Sequence, residues 1–217
     1  MSKKINLILD LDETLINTVN FNFSNYETTD LVLNVNSTVG IISLPNYLNL
    51  VFLRPYLKEF LSFCFLHFNV SFWTAGSRLY CQEILKLILN NNQYNETVMI
   101  LAKEESCWIN LKDNKIFYCE NSYQVSKKLK FLWDDNILGK IFKPENTLIV
   151  DDNPKVIIDN PVNSLNVIPY LRTYKNDKIL CQVSNWLYLC KDVDDVRTLE
   201  KDLVIIPEKC HILDESI

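Results

Sequence analysis

Histidine and glycine are scarce in this chain, with two and three residues among 217. His67 falls in an apolar helical pattern and His211 in a tail beyond Pro207, so histidine-based catalysis is not in evidence. Cys64 and His67 have a metal-like spacing, but no second half-site accompanies them, and a core position is favoured over zinc. The seven cysteines are odd in number and form no C-x-x-C pair. They read as reduced, mostly buried thiols of an intracellular protein, in nucleus or cytoplasm. The most apolar stretch, Phe60 to Trp73, is shorter than a membrane span and contains Asn69, so no membrane anchor is expected. Asp10 and Asp12 interrupt the first apolar run too early for a secretory signal. A net charge of −5 leaves no electrostatic footprint for direct nucleic-acid binding. No internal repeat or long linker divides the chain. One domain over residues 1–217 is expected, with an inserted hairpin near 102–124 and a tail over 207–217.

What is present starts at Ile5-Asn6-Leu7-Ile8-Leu9, a short branched apolar run that reads as a buried strand. Two aspartates, Asp10 and Asp12, end it abruptly, and they share a side if the extended geometry continues. In an α/β sheet, ligands bind beyond the carboxyl ends of the strands. Two carboxylates crowded there are unfavourable unless a cation or a proton relieves them, which points to Mg²⁺ with a substrate phosphate. On this stretch alone, a solvated loop after a strand fits about as well. Further along, Asn146 to Pro154 repeats the logic: a buried strand, then Asp151 and Asp152. The alternative there is an ordinary D-N-P turn.

Between these two acidic strand ends the chain reads as follows. Thr18 to Asp30 is polar and Asn-rich, an expected irregular loop. Leu31–Val35 and Val39–Leu44 read as a hairpin, with Asn49–Leu53 as a third strand. Arg54-Pro55 then opens a helix through Phe68, with the proline in its first turn. Val70 to Gly76 is a strand ending in Thr74, Ala75 and Gly76, and Ser77 is placed to cap the next helix, which runs to about Leu89. A hydroxyl and exposed amides at a helix start suit an anion, and one of only three glycines standing there points to a backbone role. Val98–Leu101 is a further core strand. Trp108–Leu111 and Lys115–Tyr118 flank a turn signal, and Trp108, Phe117 and Tyr118 are either packing in a small insertion or an aromatic wall for a peptide. Lys127, Lys128 and Lys130 cluster just before Phe131, a pattern usual for a solvated face. Val167–Pro169 reads as the last strand and Asp177–Lys191 as a closing helix.

Asp10-Leu11-Asp12-Glu13-Thr14 resembles the first motif of the haloacid dehalogenase superfamily of phosphotransferases, and Asp-Leu-Asp-Glu-Thr-Leu looks like its branch of RNA polymerase II C-terminal-domain phosphatases and NLI-interacting-factor proteins. Thr74-Ala75-Gly76 resembles the second motif, with Gly76 where the branch usually has serine. Ser126-Lys127-Lys128 is similar to the third, with Lys127 the best register and Lys128 its competitor, and Val150-Asp151-Asp152-Asn153-Pro154 to the fourth. Arg54-Pro55, Glu105-Ser106-Cys107 and Val193 to Val196 resemble elements of the same branch. The resemblance covers about Ile5 to Leu199. It implies a Rossmann-like parallel sheet with helices on both faces and a small inserted β-sheet near the site.

It further implies a Mg²⁺-dependent phosphoserine/phosphothreonine phosphatase, with the RNA polymerase II C-terminal domain as a candidate substrate. Asp10 would be the nucleophile, Asp12 the general acid and base, and Thr14 a residue positioning Asp12. Asp10, the Asp12 carbonyl, Asp151 and Asp152 would form the metal site, Asp152 through water or by orienting neighbours. Thr74, Ala75, Gly76 and Lys127 would bind the phosphoryl group. Two other readings stay open: a phosphatase of small molecules or nucleic-acid ends, and an inert binding module on the same fold. The oligomeric state is not indicated.

Overall fold

The computed structural model describes residues 4–21, 39–45, 47–105, 126–173 and 176–201. Strand β1 (Asn6–Leu9) is buried at every position, as its mostly apolar run requires. It lies at the centre of a five-stranded parallel sheet with β5 (Asn69–Trp73), β6 (Met99–Leu101), β7 (Thr147–Asp151) and β8 (Ser164–Asn166), ordered β6-β5-β1-β7-β8. Leu9 pairs with Phe72 on one side and Val150 on the other.

Alternation along the strands divides the core into two layers. Leu7, Leu9, Val70, Phe72, Leu148 and Val150 face helices α1 (Leu57–His67), α2 (Arg78–Ile88) and α6 (Ile179–Cys190), meeting Phe60, Ile84 and Leu187. Ile8, Trp73, Met99 and Ile149 face the other way, onto Leu132 of α4 (Lys130–Asp134), Val156 of α5 (Pro154–Asp159) and Phe142. A short helix α3 (Asn91–Glu96) between α2 and β6 carries a capping box from Asn90 and Gln93, an element the sequence reading did not anticipate.

Between β1 and α1 the chain builds a second, antiparallel sheet of β2 (Ile16–Phe21), β4 (Tyr47–Leu53) and β3 (Val39–Leu44), ordered β2-β4-β3. The loop expected from Thr18 is therefore a strand as far as Phe21. Thr18 and Val19 pair with Val51 and Leu50, and that pairing overrides their polar surroundings. Val39–Leu44 pairs with β4. The proposed partner Leu31–Val35 lies outside the described residues, as do residues 106–124 of the inserted hairpin expected near 102–124, with Trp108, Phe117 and Tyr118, and the tail.

Three local expectations are corrected. Helix α1 starts at Leu57, after a left-handed cap at Tyr56 (φ 66°), so Pro55 stands before the helix rather than in its first turn. The last strand is Ser164–Asn166, three residues before the expected run, whose Pro169 has no amide for a ladder. Cys64, Cys81 and Cys190 are free buried thiols, as expected, but Cys181 is disulfide-bonded. Spacing along the chain does not report the Cα separation that permits a bridge. Among the described residues, no helix is long and apolar enough to cross a membrane.

Candidate active site

The register of the sheet decides which motifs meet. Asp10 follows Leu9, so it stands level with Asp151 at the end of β7, and its amide donates to the Val150 carbonyl at 3.1 Å. Thr74 follows β5 on the other flank. The three central strands thus deliver Asp10, Asp151 and Thr74 to one carboxyl edge, where open α/β sheets bind ligands.

Beyond Asp10 the chain turns sharply. Glu13 is left-handed (φ 60°), its amide donates to the Ile16 carbonyl at 2.7 Å, and its carbonyl accepts from the Tyr170 amide at 2.6 Å. The turn aims Thr14 back at the cluster. Its hydroxyl lies 3.4 Å from Asp10 Oδ2 and 3.0 Å from Asp152 Oδ1. Thr14 thus contacts Asp10 and Asp152, rather than the Asp12 it was expected to position.

Carboxylate oxygens of Asp10, Asp151 and Asp152 lie within 4.8 Å of one another. Asp12's carboxylate is not in this group. Its Oδ1 accepts instead from Thr18 at 3.3 Å and from the Tyr80 hydroxyl in a short hydrogen bond. Lys127 closes the centre: its ammonium is 2.5 Å from Asp10 Oδ1 and 2.7 Å from Asp151 Oδ2, and the residue is 4% exposed. Lys128 is half exposed, 4.0 Å from Asp159. Asn160 holds the backbone on both sides of Lys128, donating to the Lys127 carbonyl and accepting from the Leu129 amide, each at 2.9 Å.

Burial pushes the Asp10 carboxyl well above the usual carboxylate range, with Lys127 opposing and Asp151 adding to the rise. Asp12 is raised by burial too, and the hydrogen bonds from Tyr80 and Thr18 pull against it. Burial works against charge on Lys127, but Asp10 and Asp151 together outweigh it and push its pKa up. Asp152 is raised to about 6, by burial and then by the charge on Asp151.

On the β5 side, the Gly76 amide donates to Thr74 Oγ1 at 3.0 Å. That amide holds the threonine hydroxyl rather than pointing at a phosphoryl group, and it leaves the hydroxyl proton to donate. Ser77 caps α2 by accepting from the Tyr80 amide at 3.3 Å.

Arg54 is the largest participant that sequence reasoning left without a role. It is 1% exposed, forks onto both oxygens of Asp177 at 3.1 Å, and donates to the carbonyls of Thr14 at 2.8 Å and Ile168 at 2.7 Å. Tyr80 and Thr18 were also missed. A helical tyrosine and a threonine in a polar stretch carry no mark of what they will face.

A parallel central sheet with helices on both faces and a small antiparallel sheet beside it is a haloacid dehalogenase-like α/β fold. Structural comparison agrees. Fcp1, described as an essential RNA polymerase II CTD phosphatase, superposes with a TM-score of 0.50 at 21% identity, covering 78% of this chain and 43% of that one. A beryllium fluoride-bound Fcp1 variant from fission yeast gives 0.51 at 18% identity, over 90% of this chain and 53% of that one.

The chain belongs to the NLI interacting factor-like phosphatase family, which matches residues 5–197. It is 30% identical over 167 residues to the CTD phosphatase-like protein 355R of Invertebrate iridescent virus 6, across 76% of this chain and 85% of that protein. The ubiquitin-like domain-containing CTD phosphatase of Arabidopsis thaliana is 26% identical over 154 residues, 68% of this chain but 42% of its own length.

Proposed function

We propose that this protein is a Mg²⁺-dependent phosphatase of phosphoserine and phosphothreonine in peptides, acting through an aspartyl-phosphate, with the RNA polymerase II C-terminal domain as its substrate. The observation that carries this reading is the buried Lys127 ammonium bridging Asp10 and Asp151 inside a cluster of three carboxylates. One ammonium leaves that cluster net negative, and such charge is costly to bury without a cation to complete it. Relatives named as CTD phosphatases, and the fold neighbour Fcp1, described as an RNA polymerase II CTD phosphatase, support the phosphatase class and this choice of substrate.

The donors fit Mg²⁺: hard carboxylate oxygens, close enough to share one ion, one of them from the nucleophile. Asp10, Asp151 and Asp152 would hold it, with the Asp12 carbonyl as a further donor by family resemblance. When bound, the ion supplies positive charge that offsets the repulsion between Asp10 and an incoming phosphate.

The chain's own groups do the rest. An Asp10 oxygen attacks phosphorus, forming a P–O bond as the bond to the serine oxygen breaks, and Asp12 gives that oxygen its proton. A water then attacks the aspartyl-phosphate, Asp12 takes the water's proton, and the P–O bond to Asp10 breaks to release phosphate. Lys127 and the Thr74 hydroxyl neutralise and orient the phosphoryl oxygens, with the Ala75 amide beside them and the Gly76 amide holding Thr74.

The test is hydrolysis of para-nitrophenyl phosphate with Mg²⁺, with EDTA, and with Asp10→Asn. Turnover is expected only in the first condition, falling at least about 10³-fold without the nucleophile. Phosphorylated heptad-repeat peptides are then expected to be substrates. A folded protein inactive on both would sink the catalytic reading and leave a binding module.

A further inference from the structure

The Tyr80 hydroxyl has a place in the site that its position in α2 does not announce. Tyr80 OH and Thr18 Oγ1 lie 3.2 Å apart, and both donate to Oδ1 of Asp12. Two donors on one carboxylate oxygen fix the plane of the group and assign the transferable proton to the other oxygen, Oδ2. Among the described residues, no hydrogen bond closes on Oδ2.

The tyrosine reaches this point because of what is missing at position 76. A Cβ on Gly76 would stand 2.5 Å from Tyr80 Cδ1 and 3.0 Å from Cε1. Those atoms are the near edge of the ring of a residue that is only 9% exposed, so it has little room to yield. The backbone at Gly76 is not left-handed, so a side chain there would have to displace the ring rather than strain the backbone. Glycine at 76 and the Tyr80–Asp12 contact are therefore two halves of one arrangement.

We infer that Gly76 and Tyr80 are a coupled positioning device that, with Thr18, aims Asp12 at the leaving-group oxygen. The inference rests on the phosphatase reading above. Tyr80 touches no reacting atom; it acts through Asp12.

The dependence of kcat/KM on the leaving group separates positioning from mere support. This ratio reports the step in which the leaving group departs. Nitrophenolate leaves readily as an anion, whereas phenolate and a serine alkoxide need the proton of Asp12. Para-nitrophenyl phosphate, phenyl phosphate and a phosphoserine peptide would be compared in wild type, Tyr80→Phe, Gly76→Ala and the double variant, with melting curves to confirm folding.

In Tyr80→Phe, kcat/KM for phenyl phosphate and the peptide is expected to fall at least about tenfold more than for para-nitrophenyl phosphate. Gly76→Ala is expected to reproduce that selectivity, and adding it to Tyr80→Phe to change the selectivity by less than about threefold. Equal losses on all three substrates, unchanged selectivity, or additive effects in the double variant would overturn the device while leaving the phosphatase intact. A folded wild type inactive on every substrate would overturn the phosphatase reading, and this inference with it.

Discussion

Lys127 is stable as a buried ammonium only because two carboxylates touch it. Desolvating a lysine costs several kcal/mol, and contacts of 2.5 and 2.7 Å in a dry site offset that cost. Removing the ammonium but not the carboxylates strands Asp10 and Asp151 as buried like charges. Lys127→Met is therefore expected to destabilise the metal-free protein by about 3–5 kcal/mol. Mg²⁺ is expected to recover part of the loss, since it supplies positive charge to the same oxygens. Urea unfolding with and without Mg²⁺ measures both. A loss below about 1 kcal/mol without metal would mean that the ammonium is not what holds the carboxylates together.

Among the elements, Arg54 acts as the fastening between pieces that the sheet alone does not connect. It follows β4 and precedes α1, yet it binds the turn after β1 through Thr14, the segment after β8 through Ile168, and the start of α6 through Asp177. Asp177 in turn accepts from the Ile179 amide at 3.0 Å, in the first turn of α6. The fork is what makes these contacts compatible, because a guanidinium donates in several fixed directions and an ammonium does not. Arg54→Lys keeps the charge but loses that geometry, and is expected to cost about 2 kcal/mol or more in stability. Phosphatase activity should fall with it, because the Thr14 carbonyl belongs to the turn that places Asp10 and Asp12. An Arg54→Lys protein with the wild-type urea midpoint would show that charge alone suffices.

At the level of the whole molecule, the acidic centre links stability to pH and to metal. Asp152 is raised to about 6 from an ordinary value near 3.8, so between those values the folded state binds more protons than the unfolded one. Its contribution to stability therefore declines as pH rises from about 4 to about 6, opposite to the usual effect of a paired carboxylate. Two pKa units correspond to roughly 3 kcal/mol, reduced to about 1–2 for a side chain partly open to solvent. Asp152→Asn is expected to make the metal-free protein more stable at pH 7 by that amount, with little change at pH 4. Saturating Mg²⁺, which binds the charged form, should reverse the order at pH 7. Thermal melts at the two pH values, with Mg²⁺ and with EDTA, decide it; a variant no more stable than wild type at pH 7 in EDTA would refute the linkage.

The amino-acid sequence alone determined the parts that depend on neighbours along the chain. A short run that is almost wholly apolar is buried on both faces, so Asn6–Leu9 and Thr147–Asp151 were legible as central strands, and the aspartates that end them as groups at a sheet edge. Ser77 as a cap and the helix that follows it to about Leu89 were legible from local signals too. Family resemblance favoured Lys127 over Lys128, but only tertiary structure turns it inward, because a lysine cluster reads as a solvated face until a strand register sets Asp10 beside Asp151. It also decided that Asp12 faces Tyr80 and Thr18 while Asp152 joins Asp10, since residues one or two apart in a tight turn point where the turn sends them. The left-handed Glu13 that sends them there is held by Tyr170 and Arg54, both more than 40 residues away along the chain. Contacts at that separation leave no periodic trace in a sequence, and only the packed sheet brings them into being.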